Sequence, residues 1–114
     1  MPYIEAKLSV KLDNEQKNKL QSKLTDLVSS AFSKPKAYIM AGIEDDKSLY
    51  MDEKPLDKGA YISISLLGST SKPVCQKLTK NICDVLSKDY DIDGANVYIT
   101  YHPTDLWGWN GSMF

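Results

Sequence analysis

A proline directly after the first methionine is the residue of this chain best suited to acid–base chemistry. The chain begins MPYIEAKLSV, and a small second residue is the usual signal for removal of the methionine. Without Met1, Pro2 would carry a free secondary amine. Burial in an apolar pocket disfavours the charged form of an amine, so a neutral Pro2 would act as a general base near pH 7. A proline without a catalytic role is the more frequent case, and Pro2 alone does not decide between the two.

Two lysines follow the first helical segment, in the stretch SKPKA. Lys34 is a candidate cation for a substrate carboxylate, and Lys36 is placed almost as well for the same role. The ordinary alternative is a solvated lysine, or one that interacts favourably with the negative C-terminal end of a helix.

The C-terminal third supplies aromatic candidates. Tyr98 lies in a predicted strand, where a tyrosine most often packs and leaves its hydroxyl at the surface. Trp107 and Trp109 stand in the closing stretch LWGWNGSMF, which is typical of a packing or interface segment. The single histidine, His102, has no matching nucleophile motif and is interpreted as a surface residue near the end of a strand.

Composition excludes several classes of function. The chain has 114 residues, a formal net charge of −1 and only lysine among its strong bases, which argues against nucleic-acid binding. No apolar run approaches the roughly 20 residues that a membrane-spanning helix needs, so membrane insertion is not expected. The start lacks a secretory signal, which predicts a cytoplasmic protein. One histidine and no metal-ligand spacing predict no metal site.

Hydrophobic periodicity predicts the elements that position these residues. Residues 3–10, 38–43, 60–68 and 95–103 have the pattern or composition of strands. Two amphipathic helices lie between them: one starts at a capping box on Asp13 and Gln16, and the other has Ser/Thr caps with Pro73 in its first turn. The segment SLYM in the charged linker is only a weak candidate for a short strand.

The order strand–helix–strand occurs twice, which predicts one α/β domain of residues 1–114 built from halves of about 1–50 and 51–114. Right-handed crossovers would place both helices on one face of a four-stranded mixed sheet. The other face would then be bare, although it carries Tyr98 and Thr100. A sheet with an uncovered face of this kind predicts an oligomer.

The ordered set of motifs resembles the macrophage migration inhibitory factor (MIF) family of the tautomerase superfamily. These motifs are MP at the start, KP after the first helix, VYI in the last long strand and WGWNGSMF at the end. The resemblance covers the whole chain, and Gly68 to Tyr98 fits the family pattern without a gap.

The resemblance implies a homotrimer with sheets inside and helices outside, and active sites at the subunit interfaces. Pro2 would be the base in keto–enol tautomerisation of a phenylpyruvate- or dopachrome-type substrate, without a cofactor. The resemblance assigns substrate binding to Lys34 at the anionic end, Leu67 through its backbone, Tyr98 from a neighbouring subunit, and Tyr38, Trp107 and Trp109 around the ring.

The chain departs from the family pattern at several positions. The middle linker reads YMDEKPLDKG where many members have Phe-Gly-Gly-Ser, and the CxxC of some members is absent, which predicts no thiol–disulfide activity. Thr100 replaces an asparagine. Tyr3 replaces a smaller residue beside Pro2 and is expected to narrow the site. The alternative functions are a signalling protein that is exported without a signal peptide and binds a cell-surface receptor, and an oligomeric scaffold with a vestigial pocket.

Overall fold

Two parallel strand pairs form the framework of the chain. The computed structural model describes residues 1–114. The elements in chain order are β1 (Pro2–Leu8), α1 (Asn14–Phe32), β2 (Met40–Glu44), β3 (Tyr50–Met51), β4 (Lys54–Pro55), β5 (Ala60–Leu67), α2 (Lys72–Tyr90), β6 (Val97–Thr104), β7 (Gly108–Trp109) and β8 (Ser112–Met113), with short 3-10 turns at Lys36–Tyr38 and Gly94–Asn96. Strand β1 pairs in parallel with β2, and β5 pairs in parallel with β6. Antiparallel pairing of β1 with β5 joins the halves into one sheet of order β2-β1-β5-β6.

The sheet buries one face against both helices because its central strands alternate. In β1 and β5, every second side chain is buried, and the register places Ile4 opposite Ile64 and Ala6 opposite Ile62. The helices contribute their apolar stripes to the same core: Leu20, Leu24 and Val28 from α1, and Leu78, Ile82 and Leu86 from α2. The predicted fold, a duplicated β-α-β unit with two helices on one face of a mixed sheet, is confirmed.

The predicted helix starts are also confirmed. The carboxylate of Asp13 accepts a hydrogen bond from the backbone N–H of Gln16 at 2.8 Å, and the Gln16 side chain accepts one from the backbone N–H of Asp13 at 2.9 Å. Ser71 caps α2, and Pro73 lies in its first turn. Helix α1 ends at Phe32, and its C-cap residue Ser33 adopts the left-handed conformation with φ 53°.

The second face of the sheet is open in the single chain. It carries polar and aromatic side chains. Three of them are linked by hydrogen bonds, between the Tyr61 hydroxyl and Thr100 Oγ1 (2.7 Å) and between Thr100 Oγ1 and His102 Nε2 (2.8 Å). The predicted homotrimer would cover this face, and it stays a prediction. No helix of the chain is long and apolar enough to cross a bilayer.

Several predicted strand boundaries differ from the structure, and the last long strand spans 97–104 rather than 95–103. The second strand begins at Met40 rather than at residue 38, because Tyr38 belongs to the 3-10 turn after Pro35. The first strand ends at Leu8, before the predicted end at residue 10. The weakly predicted SLYM strand does form, as β3 of a two-stranded hairpin with β4. The proposed division into halves of about 1–50 and 51–114 stays a prediction.

Candidate functional site

An apolar cavity of about 330 Å³ lies at the start of β1, and we call it the aromatic cavity. Its lining combines Pro2 with Tyr38, Met40, Trp107 and Trp109. With Tyr3, which also lines it, the cavity brings together five of the residues that the sequence singled out, although they lie far apart in the chain. A cavity with these walls is suited to hold a planar ring against the edge of the sheet.

Local backbone geometry explains how the aromatic walls are held. Tyr38 is fixed by the 3-10 turn, in which its backbone N–H donates to the Pro35 carbonyl at 3.1 Å. Strands β7 and β8 form a hairpin whose turn residues, Asn110 and Gly111, both have positive φ, as tight hairpin turns require. The backbone N–H of Phe114 donates to the Trp107 carbonyl at 3.0 Å, and the Phe114 ring stacks on Trp109 with centroids 6.2 Å apart.

The N-terminus begins β1, one of the two central strands of the sheet. The Pro2 side chain is fully buried, and Pro2 pairs with Leu66 in the antiparallel ladder. The Met1 carbonyl accepts a hydrogen bond from the backbone N–H of Leu67 at 3.2 Å. Burial lowers the pKa of the N-terminal ammonium, and the nearby charge of Lys34 lowers this pKa further. While Met1 is present, the Pro2 nitrogen is part of a peptide bond and cannot accept a proton.

A second cavity of about 470 Å³ lies beyond Leu66 and Leu67, and we call it the polar cavity. Its charged lining residue is Lys34, which forms no ion pair, and its rim includes the hydroxyls of Ser69 and Thr70. Lys36, the other candidate cation, is paired with Asp26 at 2.6 Å on the outside of α1. Of the two lysines, only Lys34 is therefore free to receive an anionic group at the site.

Tyr3 lines the aromatic cavity with part of its side chain, but its hydroxyl is directed elsewhere. Because side chains alternate along a strand, Tyr3 faces the open side of the sheet and Pro2 faces the core. The Tyr3 hydroxyl donates to Glu5 Oε2 at 3.4 Å and lies 2.7 Å from where a Cβ on Gly42 would stand. Neither Glu5 nor Gly42 lines the cavity. Burial and the Glu5 carboxylate raise the pKa of the Tyr3 phenol.

Tyr98 is not near Pro2 of the same chain. It pairs with Tyr61 near the start of β6, whereas Pro2 pairs with Leu66 at the other end of β5. Five residues along the strands and two strand spacings across the sheet separate them by about 19 Å. Tyr98 is also 66% exposed and belongs to the open face. One chain therefore gathers Pro2, Lys34, Leu67 and the aromatic walls, but not Tyr98.

Sequence reasoning missed two residues near the site. Met40 lines the aromatic cavity, and its position opposite Tyr3 follows only from the register of β1 with β2. Ser29, in the last turns of α1, donates from Oγ to the Lys34 carbonyl at 2.6 Å. The only sequence signal for Ser29 was its place five residues before Lys34. No group of three or more His, Cys, Asp or Glu side chains is placed to hold a metal ion.

Comparisons with known proteins agree with this architecture. The family model described as "Macrophage migration inhibitory factor (MIF)" matches residues 1–114. Macrophage migration inhibitory factor of Xenopus tropicalis is 36% identical over 98 residues, which cover 83% of this chain and 84% of that protein. The crystal structure of Leishmania major MIF2 superposes with a TM-score of 0.90 at 23% identity, covering 100% of this chain and 97% of that one. The MIF-like protein of Entamoeba histolytica gives a TM-score of 0.89 at 23% identity, with 99% and 98% coverage.

The match of the family model over the whole chain and the identity to the frog protein establish the relationship, and the two parasite structures show that the fold is shared. The chain belongs to the macrophage migration inhibitory factor family, within the tautomerase superfamily.

Proposed function

We propose that the protein is a keto–enol tautomerase that uses the Pro2 amine, exposed by removal of Met1, as its general base on arylpyruvate-type substrates. The observation that carries this proposal is the position of Pro2. It lies in the wall of the aromatic cavity, and the unpaired Lys34, which lines the polar cavity, is near enough for its charge to act on the amine of Met1. A ring in the first cavity and a carboxylate at Lys34 would place the carbon between them beside the Pro2 nitrogen.

The reaction needs one proton to change position. The neutral Pro2 amine removes a proton from the carbon next to the keto group, and the C–H electron pair becomes the C=C bond of the enol. The carbonyl oxygen takes the displaced electron pair and then a proton, which the Pro2 ammonium returns directly or through water, so the base is restored and no oxidant, reductant or cofactor is consumed. The structure lowers the pKa of the Met1 ammonium through burial and the charge of Lys34. The same surroundings would favour the neutral form of a Pro2 amine, which this step requires.

Removal of Met1 would change two groups together. It would turn the Pro2 nitrogen from a peptide nitrogen into a basic amine. It would also take away the carbonyl that accepts the Leu67 N–H hydrogen bond, which leaves this donor free beside the base. A free backbone N–H here supports binding of the substrate carboxylate or the developing oxyanion. A chain that keeps Met1 lacks both groups.

A homotrimer is part of the proposal, because Tyr98 cannot reach Pro2 within one chain. The open sheet face and the unpaired outer edges of β2 and β6 are available for contact with other copies. Light scattering of the purified protein tests this: a mass near three times 12.8 kDa is expected, and a monomer would contradict it.

The direct test is the rate of phenylpyruvate enol–keto conversion by protein whose Met1 removal has been verified by intact mass. Pro2→Gly is expected to reduce kcat/KM by about 10²–10⁴-fold, the usual contribution of a positioned base. Protein that retains Met1 is a matched control with all side chains present, and it should be equally impaired. An inactive wild type with a free Pro2 would refute the enzyme, and full activity in Pro2→Gly would refute the role of Pro2.

Binding to a cell-surface receptor, the alternative drawn from the resemblance, stays a prediction, because no particular surface of the structure singles out a receptor. Cytoplasmic location and export without a signal peptide likewise stay predictions.

A further inference from the structure

We infer that Ser29 is a positioning residue for Lys34 and thereby sets the preference of the site for substrates with a free carboxylate. This inference rests on the proposed function and extends it to a residue of α1 that touches no substrate. Ser29 and Lys34 are joined by two hydrogen bonds in opposite directions. Ser29 Oγ donates to the Lys34 carbonyl at 2.6 Å, and the Lys34 backbone N–H donates to the Ser29 carbonyl at 3.1 Å.

The backbone bond is the ordinary way in which a helix ends. Ser33 takes the left-handed conformation, and the residue after it donates back to a carbonyl of the last turn. The Ser29 hydroxyl bond is additional. It fixes the Lys34 carbonyl, so both ends of the Lys34 residue are tied to one helical residue, immediately before Pro35 restricts the chain again. A long lysine side chain loses much rotamer freedom when it binds an anion. A backbone that is already fixed reduces the conformational entropy that is lost on binding.

The neighbouring cation is kept away from the site by a different contact. Lys36 pairs with Asp26, one turn before Ser29 on α1. Helix α1 therefore contacts the two lysines in different ways. It binds the backbone of Lys34 and leaves the ammonium unpaired, whereas it binds the ammonium of Lys36. Together these contacts present one cation to the polar cavity, in a defined place.

The experiment compares an acid substrate with an ester that differs only at the carboxylate. KM and kcat are measured for phenylpyruvate and for its methyl ester in wild type, Ser29→Ala, Ser29→Thr and Ser30→Ala. Ser30 is the matched control, because it is the adjacent serine of α1 and lines the groove between the helices rather than the polar cavity. Ser29→Thr keeps a hydroxyl at the same position and tests rescue.

Ser29→Ala is expected to raise KM for the acid by about two- to tenfold, the usual effect of losing one hydrogen bond, with kcat nearly unchanged. KM for the ester should not change in this variant. Ser29→Thr should return the acid-to-ester ratio towards that of wild type, and Ser30→Ala should match wild type. An unchanged ratio in Ser29→Ala, or an equal loss for acid and ester, would overturn the inference, because a general structural effect does not distinguish the two substrates.

A binding measurement separates this inference from the proposed function. The non-reacting carboxylate 3-phenylpropionate is titrated into wild type and Ser29→Ala, and its dissociation constant is followed by NMR. Weaker binding to Ser29→Ala by a similar factor supports the inference even if the wild type turns over no substrate, an outcome that would refute only the tautomerase. Equal affinity in the two proteins, or no binding to either, would refute the role of Ser29.

Discussion

Replacing each of the two lysines after α1 with alanine tests the site most directly. Lys34 lines the polar cavity without a carboxylate partner, whereas Lys36 is engaged by Asp26 at 2.6 Å. We therefore expect Lys34→Ala to impair turnover of phenylpyruvate and Lys36→Ala to leave it unchanged. Both variants replace a lysine with alanine, at positions two residues apart, so each serves as a control for the other.

The size of the effect follows from the contacts that each lysine makes. A hydrogen bond to a charged group contributes about 1.5–3 kcal/mol, which corresponds to a loss of about 10- to 150-fold in kcat/KM for Lys34→Ala. The Lys36–Asp26 pair is an exposed ion pair, with 64% and 54% of its side chains accessible. Its loss should cost about 0–1 kcal/mol of the free energy of unfolding and nothing in catalysis.

The pH dependence gives a second readout of the same change. Burial first, and the charge of Lys34 second, lower the pKa of the Met1 ammonium. We expect both influences to act on the Pro2 amine, which replaces it as the N-terminus one residue further along the chain, and to lower its pKa as well. Only the neutral amine is a base, so kcat/KM should rise with pH through this lowered pKa. Lys34→Ala removes one of the two causes, so the pKa of the amine should rise and the rising limb of the profile should move to higher pH. The profile of Lys36→Ala should coincide with that of wild type.

The assay is phenylpyruvate tautomerisation between about pH 5 and 9, which brackets the ordinary pKa of an α-amino group, on protein verified by mass to lack Met1. Equal losses of kcat/KM in the two variants would refute the assignment of Lys34. A Lys34→Ala profile that stays in place would show that the lysine charge does not act on the base, whatever it does to substrate binding.

Three further predictions concern stability. Glu53→Gly should raise the free energy of unfolding by about 0.5–1 kcal/mol in urea denaturation, because Glu53 has φ 59° in the β3–β4 turn, a conformation that glycine adopts without strain. As a control, Glu15→Gly should lower the free energy of unfolding by a similar amount, because glycine is unfavourable in a helix such as α1. Asp13→Ala should cost about 1 kcal/mol in the same measurement, through loss of the α1 cap. Asp45 has a lowered pKa because it accepts from the Leu12 N–H and pairs with Lys17, so its stabilisation is present above about pH 4 and lost as pH falls through the lower folded pKa. The difference in Tm between wild type and Asp45→Asn should therefore shrink on acidification.

The repeated architecture could be predicted from the sequence because each long strand and helix has its own local sequence pattern. Apolar residues recur at every second position in β1 and β5, but at helical spacing in α1, where Leu20, Leu24 and Val28 form a stripe. The capping box on Asp13 marks the start of α1. The β3–β4 hairpin was only weakly indicated because its turn uses Asp52 and Glu53, both at positive φ, instead of the glycine or asparagine that marks such turns.

The sequence indicated several of the residues that line the two cavities, but not their geometry, which depends on contacts between distant parts of the chain. The sequence gives no reason to prefer Lys34 over Lys36 as the substrate cation. The structure distinguishes them, because Lys36 forms an ion pair with Asp26 of α1 and Lys34 forms none. Tyr3 lines the aromatic cavity with Pro2, and the expectation that it narrows the site stays a prediction. The position of its hydroxyl over Gly42 depends on the register of β1 with β2, which no local pattern gives.

The position of Tyr98 has a consequence for how the parts of the site can assemble. Pro2 and the aromatic walls meet in one chain, and the charge of Lys34 acts on the amine of the preceding Met1. Tyr98 stands about 19 Å from Pro2, far beyond the reach of its own side chain. If Tyr98 acts at the site, it must act at the site of another copy. A monomer would then keep the base, the cation and the ring cavity but lack the phenol. Loss of trimerisation and Tyr98→Phe should therefore impair turnover in the same way, without preventing a carboxylate from binding at Lys34.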